Sequence, residues 1–92
     1  MLRTHTCGEL RKSHINKKTT LCGWVNKVRA IGSKLTFIDL RDRYGITQII
    51  VKGKADVKLE YCIQVEGKVA ERKNKNSKMP TGDIEVQADK VN

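Results

Sequence analysis

Apolar and polar residues alternate with a period of two along most of the chain, the repeat of extended strands whose successive side chains face opposite sides. Thr19 to Arg29 predicts a long first strand, with Leu21, Gly23 and Val25 on one face and Cys22, Trp24, Asn26 and Val28 on the other. Both faces are partly apolar, as suits a strand that bends and serves two sheets, and Gly23 is the natural place for the bend. Leu35 to Leu40 is a second strand, Thr36, Ile38 and Leu40 forming the core set and Leu35, Phe37 and Asp39 the opposite face. Arg41 to Gly45 reads as a polar hairpin connection. Ile46 to Val51 follows as the third strand, with Thr47, Ile49 and Val51 against Ile46, Gln48 and Ile50.

From Lys52 to Tyr61 the alternation lapses, leaving room for two helical turns at most. Cys62 to Arg72 predicts a fourth strand, Ile63, Val65 and Val69 inward, and Asp83 to Val91 a fifth, Ile84, Val86 and Ala88 opposing Glu85, Gln87 and Asp89. Lys73 to Gly82 carries Asn, Pro and Gly without apolar periodicity and is a loop. Ahead of all this, Thr6-Cys7-Gly8-Glu9 has the Thr-x-x-Glu form of a capping box. It predicts a short helix through Leu10 to about Ile15, with Asn16 as its left-handed terminator. The expectation is an all-β domain with small α content, a five-stranded OB-fold Greek-key barrel with a short N-terminal helix, spanning 1–92. Such a barrel binds through strands 2 and 3 and the loops joining strands 1–2 and 4–5. An SH3-like barrel is the structural rival, but it would not use the spacer between strands 3 and 4.

At 92 residues the chain is the size of one domain. Its charge changes the picture: 19 Lys and Arg against 10 Asp and Glu give +9. That excess attracts polyanions, nucleic acid first among them. No window joins a long apolar face to a basic one, which argues against a membrane partner, and no apolar run at the start suggests a signal peptide or a span. Cys7, Cys22 and Cys62 are odd in number and widely spaced, so reduced, buried thiols in a cytoplasmic protein are expected rather than disulfides. His5 and Cys7 lack a second close ligand pair, and no metal site is expected. No phosphate-cradling Gly-rich loop or nucleophile elbow occurs, and Asp39 and Asp42, beside Arg41 and Arg43, read as a solvated ion-pair cluster. The chemistry is binding, and no catalytic residue is assigned.

Two places carry that chemistry. Phe37 lies on the face opposite the core set, where an aromatic ring is either covered by a loop or offered to a nucleobase. Gln48 faces outward on the adjoining strand, with an amide that can both donate to and accept from a base edge, and Arg29 ends the first strand near the same surface. The second place is Arg72 to Lys78, with four cationic side chains and two amides, Asn74 and Asn76, in seven residues. It is either a solvated loop or a clamp that sets Lys and Arg on phosphates and Asn on base edges.

Arg3-Thr4-His5-Thr6-Cys7-Gly8-Glu9-Leu10-Arg11, Leu21-Cys22-Gly23-Trp24-Val25, the run Phe37 to Gly45 and Thr81-Gly82-Asp83-Ile84-Glu85-Val86 together resemble the N-terminal domain of bacterial aspartyl-tRNA synthetases. The second and third blocks are shared with the asparaginyl and lysyl enzymes; the first points to the aspartyl branch. The resemblance implies a domain that binds the anticodon loop of tRNA within a class II, ATP- and Mg-dependent aspartate–tRNA ligase, a cytoplasmic homodimer through its catalytic domain. It implies that Phe37 stacks on the middle anticodon uridine while Arg29 and Gln48 meet its edge. Arg72 and either Asn74 or Asn76 would approach the third base, and Glu85 would read the first. No cofactor is expected in this domain itself. The alternative is a free-standing single-strand-binding module or synthetase paralogue. The chain departs from the family at Val28 and Ala30, which stand where Arg and Asp are usual. The spacer after strand 3 and the 4–5 loop are also short.

The net charge predicts steep salt dependence of binding to an aspartate-tRNA anticodon stem-loop. Four phosphate contacts at a log–log slope of roughly −0.7 each give about −3. A titration from low to moderate salt checks this, and a slope near zero removes the electrostatic half of the argument.

Overall fold

A computed structural model describes residues 3–31, 34–53, 57–72, 75, 77 and 81–91. The five predicted strands form: β1 (Lys18–Ile31), β2 (Leu35–Asp42), β3 (Gly45–Lys52), β4 (Cys62–Glu71) and β5 (Ile84–Val91). They close into a barrel in the order β1-β2-β3-β5-β4, antiparallel throughout except where β5 runs parallel to β3. This is the Greek-key closure of the OB fold. The core is the inward set of the alternation, with Leu21, Val25, Ile38, Leu40, Ile49, Val65, Ile84 and Val86 fully buried.

β1 serves both sides of the barrel, residues 18–24 pairing with β4 and 24–31 with β2. The hand-over falls where Gly23 was expected to bend the strand. A Cβ there would stand 2.4 Å from the Arg41 carbonyl oxygen, so the backbones approach as only glycine permits. The change of phase comes slightly later, at a bulge between Val25 and Lys27. An extra residue in one strand turns every later side chain to the other face. Val28, expected outward, therefore packs against the core. Val25 at the bulge donates to Tyr61 O (2.8 Å) and accepts from Glu60 N (2.8 Å), so the spacer before β4 satisfies the groups the bulge leaves unpaired. Glu60 takes a left-handed φ of 70°, and residues 57–61 form no helix.

The predicted N-terminal helix is not formed; a single 3-10 turn, Lys12–His14, stands in its place. Half of the capping box is present, Thr6 N donating to Glu9 Oε1 at 2.6 Å. The helix stops because the barrel takes its hydrogen bonds. The Cys7 carbonyl, which would accept from Arg11 in an α-helix, accepts from Thr47 Oγ1 (2.6 Å), and Arg11 N donates to His14 Nδ1 (2.9 Å). Cys7 and Leu10 are fully buried, so the segment stops one end of the barrel as a plug. Asn16 does take the left-handed conformation expected of it, with φ 74°.

Asp42 corrects the reading of a solvated ion pair. It is buried, and its carboxylate accepts three backbone N–H groups: Tyr44 (2.8 Å) and Gly45 (3.1 Å) at Oδ1, Cys7 (2.8 Å) at Oδ2. Gly8 packs on the same turn, where a Cβ would lie 2.2 Å from Tyr44 O. Of the cysteines, Cys7 is buried, Cys22 half-buried and Cys62 exposed, all three as free thiols, so the expectation of burial holds for the first alone. Burial, and then the neighbouring Asp42 carboxylate, push the Cys7 thiol well above its ordinary range and keep it protonated.

Replacing Asp42 by Ala strands three donors where little water reaches them. The expected loss is roughly 3 kcal/mol of stability, read as a lower urea midpoint at unchanged m-value. A loss under about 0.5 kcal/mol would mean that the carboxylate is a surface group after all.

Candidate nucleic-acid interface

Outward side chains of β1, β2, β3 and β5 fall into two rows across the barrel, because each strand registers with the next. Arg29 pairs with Phe37, Phe37 with Ile50, and Ile50 with Gln87. In the row beside it Lys27 pairs with Asp39 and Asp39 with Gln48, and Gln48 Nε2 reaches Glu85 Oε1 at 3.2 Å. Between these rows opens a cavity of about 430 Å³. Five of the seven candidate residues, Arg29, Phe37, Gln48, Arg72 and Glu85, line it together. Asn74 and Asn76 lie outside the described residues.

Phe37 is half-buried between fully inward Thr36 and Ile38, and the Arg29 guanidinium stands over its ring, 5.1 Å from the centroid. The arginine stiffens the ring by a cation–π contact and leaves aromatic surface at the cavity. Glu85 departs from the simple alternation: it faces away from the core, yet it is only 8% exposed. Neighbouring side chains cover it, Gln48 among them, and the hydrogen bond orients both groups. One N–H of the Gln48 amide is committed to Glu85; its other N–H and its carbonyl oxygen remain chemically able to meet a base edge. Arg72 is set at the end of β4 by its backbone N–H, which donates to Asp83 O at 3.0 Å. Its Nε is buried without a hydrogen-bond partner among the described residues.

Ile50, Lys52 and Gln87 also line the cavity and were not singled out in the sequence. The signal for two of them existed. Ile50 shares the outward phase of Gln48, and Gln87 that of Glu85, but a lone Ile on an outer face draws no notice until Phe37 and Gln87 flank it. Among the described residues no cluster of His, Cys, Asp and Glu could hold a metal ion.

The family model for tRNA anticodon domains, an OB-fold nucleic acid binding domain, matches residues 19–92. The chain belongs to this family. The sequence is 55% identical over 97 residues to an aspartate–tRNA ligase of Amoebophilus asiaticus, covering 95% of this chain and 16% of that protein. It is 50% identical over 101 residues to an aspartate–tRNA ligase of Bacteroides fragilis, covering the whole chain and 17% of that protein. The chain thus spans about one sixth of the length of these relatives. The fold superposes on a crystal structure of asparaginyl-tRNA synthetase from Pyrococcus horikoshii with TM-score 0.81 and 28% identity, covering all of this chain and 23% of that one. Within the anticodon-binding family its sequence is thus similar to one segment of these aspartate–tRNA ligases.

Gln48 and Glu85 are joined by a hydrogen bond across β3 and β5. A double-mutant cycle with Gln48→Ala and Glu85→Ala should show a coupling of about 0.5–3 kcal/mol in stem-loop affinity. Strict additivity would mean that the two contact RNA independently.

Proposed function

We propose that this domain holds the anticodon loop of aspartate tRNA on behalf of an aspartate–tRNA ligase. Three splayed-out bases would enter the cavity between β1, β2, β3 and β5. The middle uridine stacks on Phe37, already backed by Arg29, and Gln48 addresses its edge. Glu85, an acceptor, suits the amino and imino donors of a guanine at the first position, and Arg72 together with Asn74 or Asn76 would approach the third. The convergence of these side chains from separate strands on one cavity is the observation that supports the reading most directly. A pocket of some 430 Å³ falls within the range of small-ligand sites, about 300–1,000 Å³.

On this reading the 92 residues are one domain of a longer cytoplasmic enzyme without a membrane partner. Its catalytic domain would use ATP and Mg²⁺ and would form the homodimer. The present chain contributes recognition alone, and selectivity arises because stacking tolerates any base while edge contacts specify one.

The test separates those two contributions. Phe37→Ala should weaken binding by roughly 1–3 kcal/mol whichever base stands in the middle. Gln48→Ala should weaken binding to a stem-loop with a middle U and change little with a middle C. Fluorescence titrations of both variants on both stem-loops, with thermal melts alongside, read the outcome. Equal losses on U and C would make Gln48 a positioning residue that does not read the base. Unfolding of Phe37→Ala would make Phe37 part of the core.

A further inference from the structure

The cavity is not the end of the aromatic and cationic surface. The chain has four Phe, Trp and Tyr residues, and three of them face an arginine. Besides Arg29 over Phe37, Arg41 stands 5.9 Å from the Trp24 ring centroid. Arg3 and Arg43 stand 5.6 and 5.7 Å from that of Tyr44. These are not scattered. Phe37, Asp39 and Arg41 share the outward phase of β2, Trp24 is the registered partner of Arg41 on β1, and Tyr44 sits on the turn that follows. The pairs therefore run in line from the cavity to the tip of the β2–β3 hairpin, roughly 20 Å at about 3.3 Å per residue.

Two further features set this line apart from an ordinary basic surface. Its far end is rigid: the turn that carries Tyr44 is fixed by the two Asp42 Oδ1 hydrogen bonds and by the contact of Gly8 with the Tyr44 carbonyl, yet Tyr44 is 55% exposed. It is also cationic on balance: Arg3, Arg41 and Arg43 are exposed and, among the described residues, none of the three forms an ion pair, with Asp39 the carboxylate on the same outward row. A rigid aromatic face between guanidinium groups with no carboxylate partner fits a polyanion that also presents flat rings or sugars.

We infer that Trp24, Arg41, Arg43, Tyr44 and Arg3 form a second RNA-binding surface that holds the nucleotides flanking the anticodon bases. Guanidinium groups take the phosphates, and Trp24 and Tyr44 pack on the ribose or base that follows. This rests on the anticodon reading of the cavity: the cavity supplies identity, and the line of arginines supplies length of contact and salt-sensitive affinity.

The experiment compares an aspartate-tRNA anticodon stem-loop with the isolated anticodon trinucleotide, using the 92-residue chain and its R3Q/R41Q/R43Q variant. The variant should bind the stem-loop about tenfold or more weakly, with a log–log salt slope shallower by about 2, at 0.7 for each lost phosphate contact. Trinucleotide binding, followed by amide chemical shifts, should be unchanged, because three nucleotides do not reach the hairpin. Trp24 is the sole tryptophan, so its fluorescence should be quenched by the stem-loop and not by the trinucleotide. Wild-type affinity and slope in the variant overturn the inference and turn this face toward another part of the parent protein. Should the triple variant melt early, the three single variants decide: each should lower the slope by about 0.7, and none doing so overturns the proposal. Failure of the anticodon reading looks different. In that case the wild-type chain binds neither RNA, or Phe37→Ala alters neither, and the inference falls with it.

Discussion

A barrel closed from five strands has two open ends, and at one of them everything converges on the carboxylate of Asp42. It draws the N–H groups of Tyr44, Gly45 and Cys7 to one point, joining the β2–β3 turn to a segment 35 residues earlier. Thr47 Oγ1 closes the same junction from β3 by donating to the Cys7 carbonyl, and Thr81 Oγ1 donates to the Ile46 carbonyl from the loop before β5. The negative charge is tolerated in a buried place because its oxygens are met by backbone donors. With the turn held, the register of β2 against β3 is held. A slip of β2 by one residue would carry Phe37 into the core and Ile38 out of it.

The binding face depends on that register rather than on any special local structure. Arg29, Phe37, Ile50 and Gln87 meet because four strands bring one outward position each into a row. The polar members are preset by one another: Gln48 by Glu85, Phe37 by Arg29. A site whose side chains are already oriented loses less conformational entropy when a flexible RNA loop arrives.

Aromatic residues are scarce in this chain, and their placement is correspondingly telling. Core packing is left to Leu, Ile and Val, and Trp24, Phe37 and Tyr44 stand outward beside arginines. An aromatic ring left out of a small core forgoes a large burial contribution. The arrangement is explained when that surface is used on a ligand, and the exposed guanidinium groups favour one with negative charge.

The period-2 pattern was enough by itself to locate the strands, to name the core set of β2, β3 and β4, and to set Phe37 and Gln48 outward, because strand alternation is a local steric property. It also exposed the basic loop and the net charge that point to nucleic acid. Three things depended on the closed barrel. The helix expected after Thr6 was lost because Thr47 and Asp42, distant in sequence, claim the Cys7 backbone. Val28 turned inward because a bulge satisfied by the spacer before β4 shifts the phase of β1, and with both faces of the strand partly apolar the step of three from Val25 to Val28 does not by itself identify a bulge. Glu85 proved buried while facing outward, since its cover comes from neighbouring strands rather than from its own. Local propensity was overridden wherever a backbone group or side chain found its partner across the barrel, and those are long-range pairings that closure alone creates.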